Sequence, residues 1–161
     1  MSRPRFVLYR SLLLVTCALI GAGCAHDTYQ ERANLIKNHA DAFYDSLKAN
    51  RVESAIRDNE QIEAMASQMG DTVRKRAAQQ GATSVEREFA LMNTANEAAA
   101  TNWLALGQYF TIKRQYLQAR ATYRRVIDTY TNPTDKPYRE QALRALKDLD
   151  MLNPPTATTN P

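Results

Sequence analysis

The chain has 161 residues, with 21 Lys and Arg against 17 Asp and Glu and a formal net charge of +4. Arg3, Arg5 and Arg10 precede the first acidic residue, Asp27, so from Cys24 onward the count is 18 against 17. A nearly neutral chain has no general attraction to a polyanion, which argues against nucleic acid as a partner.

Taken in order, the chain begins with a basic stretch followed by Ser11 to Gly23, in which every residue is apolar or small. That run is shorter than the about 20 apolar residues a bilayer-crossing helix needs. A basic start, a short apolar middle and a small-residue end read as a secretory signal. The residues that follow, Ile20-Gly21-Ala22-Gly23-Cys24, resemble the lipobox of bacterial lipoproteins, with Gly21 where Leu is commonest. The resemblance implies that residues 1–23 are a cleaved leader and that the Cys24 sulfur takes a diacylglycerol. The new amine would receive a further chain such as palmitate. Ala25, rather than Asp, after the cysteine implies an outer-membrane address, facing the periplasm. Two or three acyl chains, at about 0.8 kcal/mol per buried CH₂, hold a protein stably. The cysteines are Cys17 and Cys24. With one lost and one lipidated, no thiol remains for a disulfide, a metal or a nucleophile, and no cofactor beyond the covalent lipid is expected.

Residues 24–28 read as a lipidated tether, 29–152 as a helical domain and 153–161, NPPTATTNP, as a disordered tail. The fold class expected is all-α, a short stack of about five helices. Ile36, Ala40, Phe43 and Leu47 recur at helical spacing, giving a first helix over about 28–49. Val52, Ala55, Ile56, Asn59, Ile62, Met65, Met69 and Val73 continue it after a turn at Ala49-Asn50, with Gly70 a point of weakness or kinking. Gln80-Gly81-Ala82 breaks the pattern. Thr83-Ser84-Val85-Glu86 then reads as a capping box, Thr83 the cap and Glu86 its partner. Val85, Phe89, Met92, Ala99, Trp103, Leu106 and Phe110 share one face of a long third helix ending at Ile112. Asn93 to Asn96 is its stretch of weakest propensity. Tyr116, Ala119, Tyr123, Ile127 and Tyr130 mark a fourth helix, which Asn132-Pro133 stops. Pro137 opens a fifth, with Leu143, Leu146 and Leu149 on one face.

The segment WLALGQYFTIKRQYLQARATYRRVIDTYTNP resembles a tetratricopeptide repeat, a helix–turn–helix unit of about 34 residues. Trp103, Leu106-Gly107, Phe110, Ala119 and Tyr123 fall on the family's packing positions. Val126 takes the place of a late small residue, and the closing proline comes late, at Pro133. The resemblance spans about residues 100–133. It implies that Gly107 and Ala119 let two antiparallel helices meet closely, with Phe110 and Tyr123 filling the space where they splay. One repeat cannot bury its own apolar face, so either helices one to three or another chain must cover it, and the first needs nothing extra. The hairpin of helices one and two reads as a degenerate repeat or an unrelated pair.

The resemblance also implies a partner-binding groove on the first helix of the pair, here Thr101, Leu104, Gln108, Thr111 and Ile112. That mixed, uncharged surface suits an extended or helical peptide with an apolar side chain; equally, the fifth helix or helix three's own neighbours cover it. Lys113, Arg114, Arg120, Arg124 and Arg125 form one basic cluster, read as a solvated face before a contact with acidic headgroups, with Arg124 placed to pair with Asp128. His39 stands without a second histidine at metal-ligand spacing, so no metal site is expected. Glu60 and Glu63, like Glu86 and Glu88, read as carboxylates on polar faces. A glycan-cleaving enzyme needs two carboxylates across a cleft, one in an environment that raises its pKa, and no catalytic residue is assigned. The expectation is a non-enzymatic outer-membrane lipoprotein that binds a protein or peptide of an envelope complex. A self-associating structural lipoprotein is the alternative, with a cell-wall glycan enzyme ranked below both.

Overall fold

The computed structural model describes residues 24–80 and 85–154, with side chains over 28–79 and 85–154. Five α-helices fill the described residues: α1, Cys24–Lys48; α2, Val52–Gln80; α3, Glu86–Ile112; α4, Tyr116–Thr129; and α5, Lys136–Leu152. A single 3₁₀ turn, Pro133–Asp135, joins α4 to α5. None of these helices is long and apolar enough to cross a membrane. Residues 24–28, read as a lipidated tether, are helical and open α1. The leader and most of the tail lie outside the described residues.

The chain divides after Leu35 into two units. In the first, the described part is the opening of α1, where Gln30 donates to Asn34 Oδ1 at 3.1 Å. The second, from Ile36, is a bundle in which α2 packs on α3, α3 on α4 and α4 on α5, with α5 also reaching α3. His39 at 3.1 Å from Asp58 ties the end of α1 to α2, so that histidine has an acidic partner the sequence did not assign.

The core follows the helical spacing closely. Ile36, Phe43 and Leu47 of α1 and Ala55, Asn59, Ile62, Ala66 and Met69 of α2 are all buried. Phe43, Ile62, Leu106, Val126 and Leu149 are among the largest fully buried side chains. Each large apolar side chain so buried contributes about 1.5–3 kcal/mol relative to exposure. The α2 helix runs through Gly70, and α3 runs through Asn93–Asn96, without interruption. Tertiary packing on a long partner outweighs a local deficit in propensity of about 1 kcal/mol.

Two expectations change. The α3 helix is described from Glu86, with Val85 before it, and the expected capping residue Thr83 lies outside the described residues. The buried face of its first half is Leu91, Ala95 and Ala99, whereas Phe89 is 48% exposed. On α5, Ala142 and Leu149 point inward and Leu143 is 53% exposed. The rest of each expected face holds, with Val85, Ala99, Trp103, Leu106 and Phe110 of the one and Leu149 of the other buried.

Both hairpin turns close alike. Asn50 (φ 56°) and Arg114 (φ 58°) are left-handed. Arg51 N–H donates to Ser46 O at 2.8 Å and Gln115 N–H to Phe110 O at 2.9 Å. With Asn50 N–H on Leu47 O and Arg114 N–H on Thr111 O, both at 3.0 Å, each turn satisfies the carbonyls at a helix end by the Schellman pattern. Where α3 meets α4, a Cβ on Gly107 would lie 2.5 Å from the Tyr123 ring. Trp103, Leu106, Phe110, Ala119, Tyr123 and Val126 are all buried around that contact.

Candidate functional site

The polar centre of the bundle is built on Glu63. Its residue spacing puts it one position beyond the fully buried Ile62 on α2, at the edge of the inward face. Trp103 of α3 is 3% exposed, so its indole N–H must find an acceptor inside. It donates to Glu63 Oε1 at 2.7 Å. The Tyr130 hydroxyl, just past the end of α4, donates to the same oxygen at 2.8 Å. Arg125 Nη2 donates to Oε2 at 2.7 Å, while its guanidinium lies 4.0 Å from the centre of the Trp103 ring. One carboxylate therefore joins three helices through charge-assisted bonds, the stronger class. Burial, then the adjacent Glu63 charge and hydrogen bond, holds Tyr130 well above its ordinary pKa, so it is a permanent donor.

Beside this centre lies a cleft of about 450 Å³. Its walls include Glu63, Ser67 and Arg74 from α2, Met92 and Asn96 from α3, and Tyr130 with Asn132 and Asp135 from the α4–α5 junction. It exists because α2 and α3 continue past the point where α4 ends. The junction is stiff: Asn132 N–H and Nδ2–H both donate to Asp135 Oδ2 at 3.2 Å. Arg139 Nη1 donates to Tyr130 O at 2.6 Å and to Asn132 O at 2.9 Å. Tyr138 hydrogen-bonds Glu97, and burial with that negative neighbour raises its pKa. Among the described residues, no group of three His, Cys, Asp or Glu is placed to hold a metal ion.

A second polar element pins α2 to α3. Asn59 and Asn102 are 0% and 2% exposed, Asn102 Nδ2 donates to Asn59 Oδ1 at 2.9 Å, and Asn59 Nδ2 donates to Ala99 O at 3.1 Å. Sliding either helix by a residue would strand these buried amides, so the pair sets the register.

The expected groove is not one continuous surface. Thr101, Gln108 and Ile112 are exposed, but Leu104 is withdrawn to 6% exposure. The Thr111 hydroxyl is turned to its own helix, donating to Gly107 O at 2.9 Å. The basic cluster also divides. Arg120 is buried and bonded to Asp150 and to Asn153 O, and Arg125 belongs to the Glu63 centre. Lys113, Arg114 and Arg124 remain at the surface, and among the described residues no ion pair joins Arg124 to Asp128. Glu88 pairs with Arg76. Glu63 and Tyr130 were not assigned from sequence. The available signal was Trp103, whose buried N–H demanded a partner. The side chain of Cys24 lies outside the described ones. Compared with protein-family models, with curated proteins and with solved structures, the chain gives no significant match.

Proposed function

We propose that the chain is an outer-membrane lipoprotein, held at the periplasmic face by acyl chains on Cys24, whose helical domain is a rigid scaffold for a protein or peptide of an envelope complex. The anchoring half rests on the lipobox-like Ile20–Cys24 and the basic, apolar leader before it. The α3–α4 hairpin acts on this reading as a tetratricopeptide-like unit, with Gly107 small where its two helices meet.

One observation carries the scaffold half: a cleft of about 450 Å³ beside a carboxylate already occupied by three donors. Glu63 is committed to Trp103, Arg125 and Tyr130, and Tyr130 is held protonated. Bonds made within the protein hold these groups in place, so they shape and stiffen a cleft suited to binding. Preorganised walls bind without a further ordering cost, and anchoring raises the local concentration of the partner.

Intact mass of the envelope-purified protein tests the anchor: a Cys24-terminated, acylated chain is expected, and an intact leader with a free thiol would end the proposal. A photo-crosslinking residue at Ser67, in the cleft, tests the scaffold. A discrete protein adduct is expected, absent when the residue is moved to the exposed Arg57; equal labelling from both positions would refute it. The self-associating alternative draws on α5, where Leu143, Met151 and Leu152 are 53%, 69% and 66% exposed. Light scattering decides it, since a strict monomer at high concentration removes that alternative.

A further inference from the structure

The two most exposed large hydrophobic side chains among the described residues are Leu117 at 79% and Ile112 at 75%. They bracket one turn, the tip of the α3–α4 hairpin, whose residues Lys113, Arg114 and Gln115 are also exposed. Between Glu97 and Asp128 the sequence contains no acidic residue. The Lys113 nitrogen lies 5.6 Å from the centre of the Tyr109 ring, and neither Lys113 nor Arg114 makes an ion pair among the described residues. The neighbouring turn does not neutralise them. Tyr109 donates to Asn50 Oδ1 at 3.0 Å, bringing up Arg51, also in no ion pair among those residues, with Lys48 matched by Asp45 and Glu53 beyond.

Backbone geometry points the same way. Arg114 occupies a left-handed position, φ 58°, where glycine is free of cost and asparagine is tolerated. The equivalent turn uses Asn50. A long cationic side chain kept in a strained position indicates a use for its charge.

We propose that this tip docks on an anionic lipid surface, with Ile112 and Leu117 entering the acyl boundary and Lys113 and Arg114 resting on headgroup phosphates. A convex tip that presents aliphatic and cationic groups together matches a bilayer interface, which offers apolar depth beneath negative charge. The proposal deepens the membrane-anchored reading, and the test separates the two.

The probe is the full chain carrying Leu117→Trp, mixed with phosphatidylcholine vesicles bearing brominated acyl chains, with or without phosphatidylglycerol. Trp103 is buried and supplies an unquenched baseline. Quenching of the introduced tryptophan is expected on the anionic vesicles and not on the neutral ones. Each cation near an anionic surface strengthens partition about fivefold, so adding Lys113→Glu and Arg114→Glu should weaken it by more than about 20-fold. Arg114→Gly should weaken it while raising the melting temperature, separating contact from folding. Equal quenching on both vesicle types overturns the proposal. Vesicle flotation with the introduced indole unquenched overturns the tip contact and leaves the anchor standing. Quenching of that indole in a chain that mass spectrometry shows to be unacylated leaves the tip contact and removes the anchor. An emission shift with polyglutamate but not with anionic vesicles makes the tip a site for an acidic protein, and overturns the lipid assignment.

Discussion

Replacing Gly107 by alanine tests the closest helix contact in the molecule. The added Cβ would lie 2.5 Å from Tyr123 Cε1 and 2.8 Å from both Cδ1 and Cζ, inside van der Waals contact with three ring atoms. The ring has nowhere to retreat: Tyr123 is 5% exposed, and its hydroxyl is hydrogen-bonded to Thr111. Overpacking of this kind costs about 1–3 kcal/mol. Alanine returns up to about 1 kcal/mol of helix propensity relative to glycine. The net expectation is about 0–2 kcal/mol of destabilisation, read as a lowered urea midpoint by circular dichroism. The sharper test is the double-mutant cycle with Tyr123→Leu. With the ring gone, the steric term vanishes and only the propensity gain is left, so Gly107→Ala should change sign and stabilise. A substitution that costs the same in both backgrounds, or stabilises the unmodified protein, would refute the close-contact account.

Glu63→Ala leaves the Trp103 and Tyr130 donors buried without an acceptor and should cost about 2–4 kcal/mol in thermal or urea unfolding. Glu63→Gln keeps one acceptor oxygen and should cost less, and equal losses would contradict the three-donor arrangement. Tyr130 has a folded-state pKa raised above its ordinary 10.0, so above about pH 10 the unfolded chain sheds its proton first and stability falls as pH climbs. Tyr130→Phe should lose about 1 kcal/mol near neutrality yet show a flatter alkaline limb. Tyr44, Tyr123 and Tyr138, all raised mainly by burial, account for the slope that persists. An unchanged limb would mean that Tyr130 is not the titrating group. Asn59→Ala removes the acceptor of Asn102 and opens a small void, with an expected loss of about 1–3 kcal/mol. A neutral result would show that water replaces the amide.

What could be read from residue order is local. Helical spacing located five helices and placed their turns within a few residues of the structure, because periodicity and breakers such as Asn132-Pro133 act along one stretch of chain. That the helices meet closely at Gly107 was legible for the same reason, since the pattern lies in one hairpin with a three-residue turn; that Tyr123, expected where the helices splay, is what Gly107 meets was not. The face was less legible. Bulk alone puts Phe89 and Leu143 inside, yet both lie outside, and Leu91, Ala95 and Ala142 take the buried positions.

The chain order alone therefore determines an all-α domain and its α3–α4 packing unit, and it alone carries the reading of Cys24 as a lipid attachment point. Tertiary structure decided which polar side chains went inside. Glu63 meets partners 40, 62 and 67 residues away, and Asn102 meets Asn59 across 43. Nothing in the spacing along α2 distinguishes Glu63 from a solvated glutamate. The distinction arises only when α3 and α4 bring an indole, a guanidinium and a phenol to one carboxylate. The cleft is tertiary in the same sense, since it opens where α4 ends against two longer neighbours. Helix lengths can be read along the chain, but the space left between helices depends on how they pack.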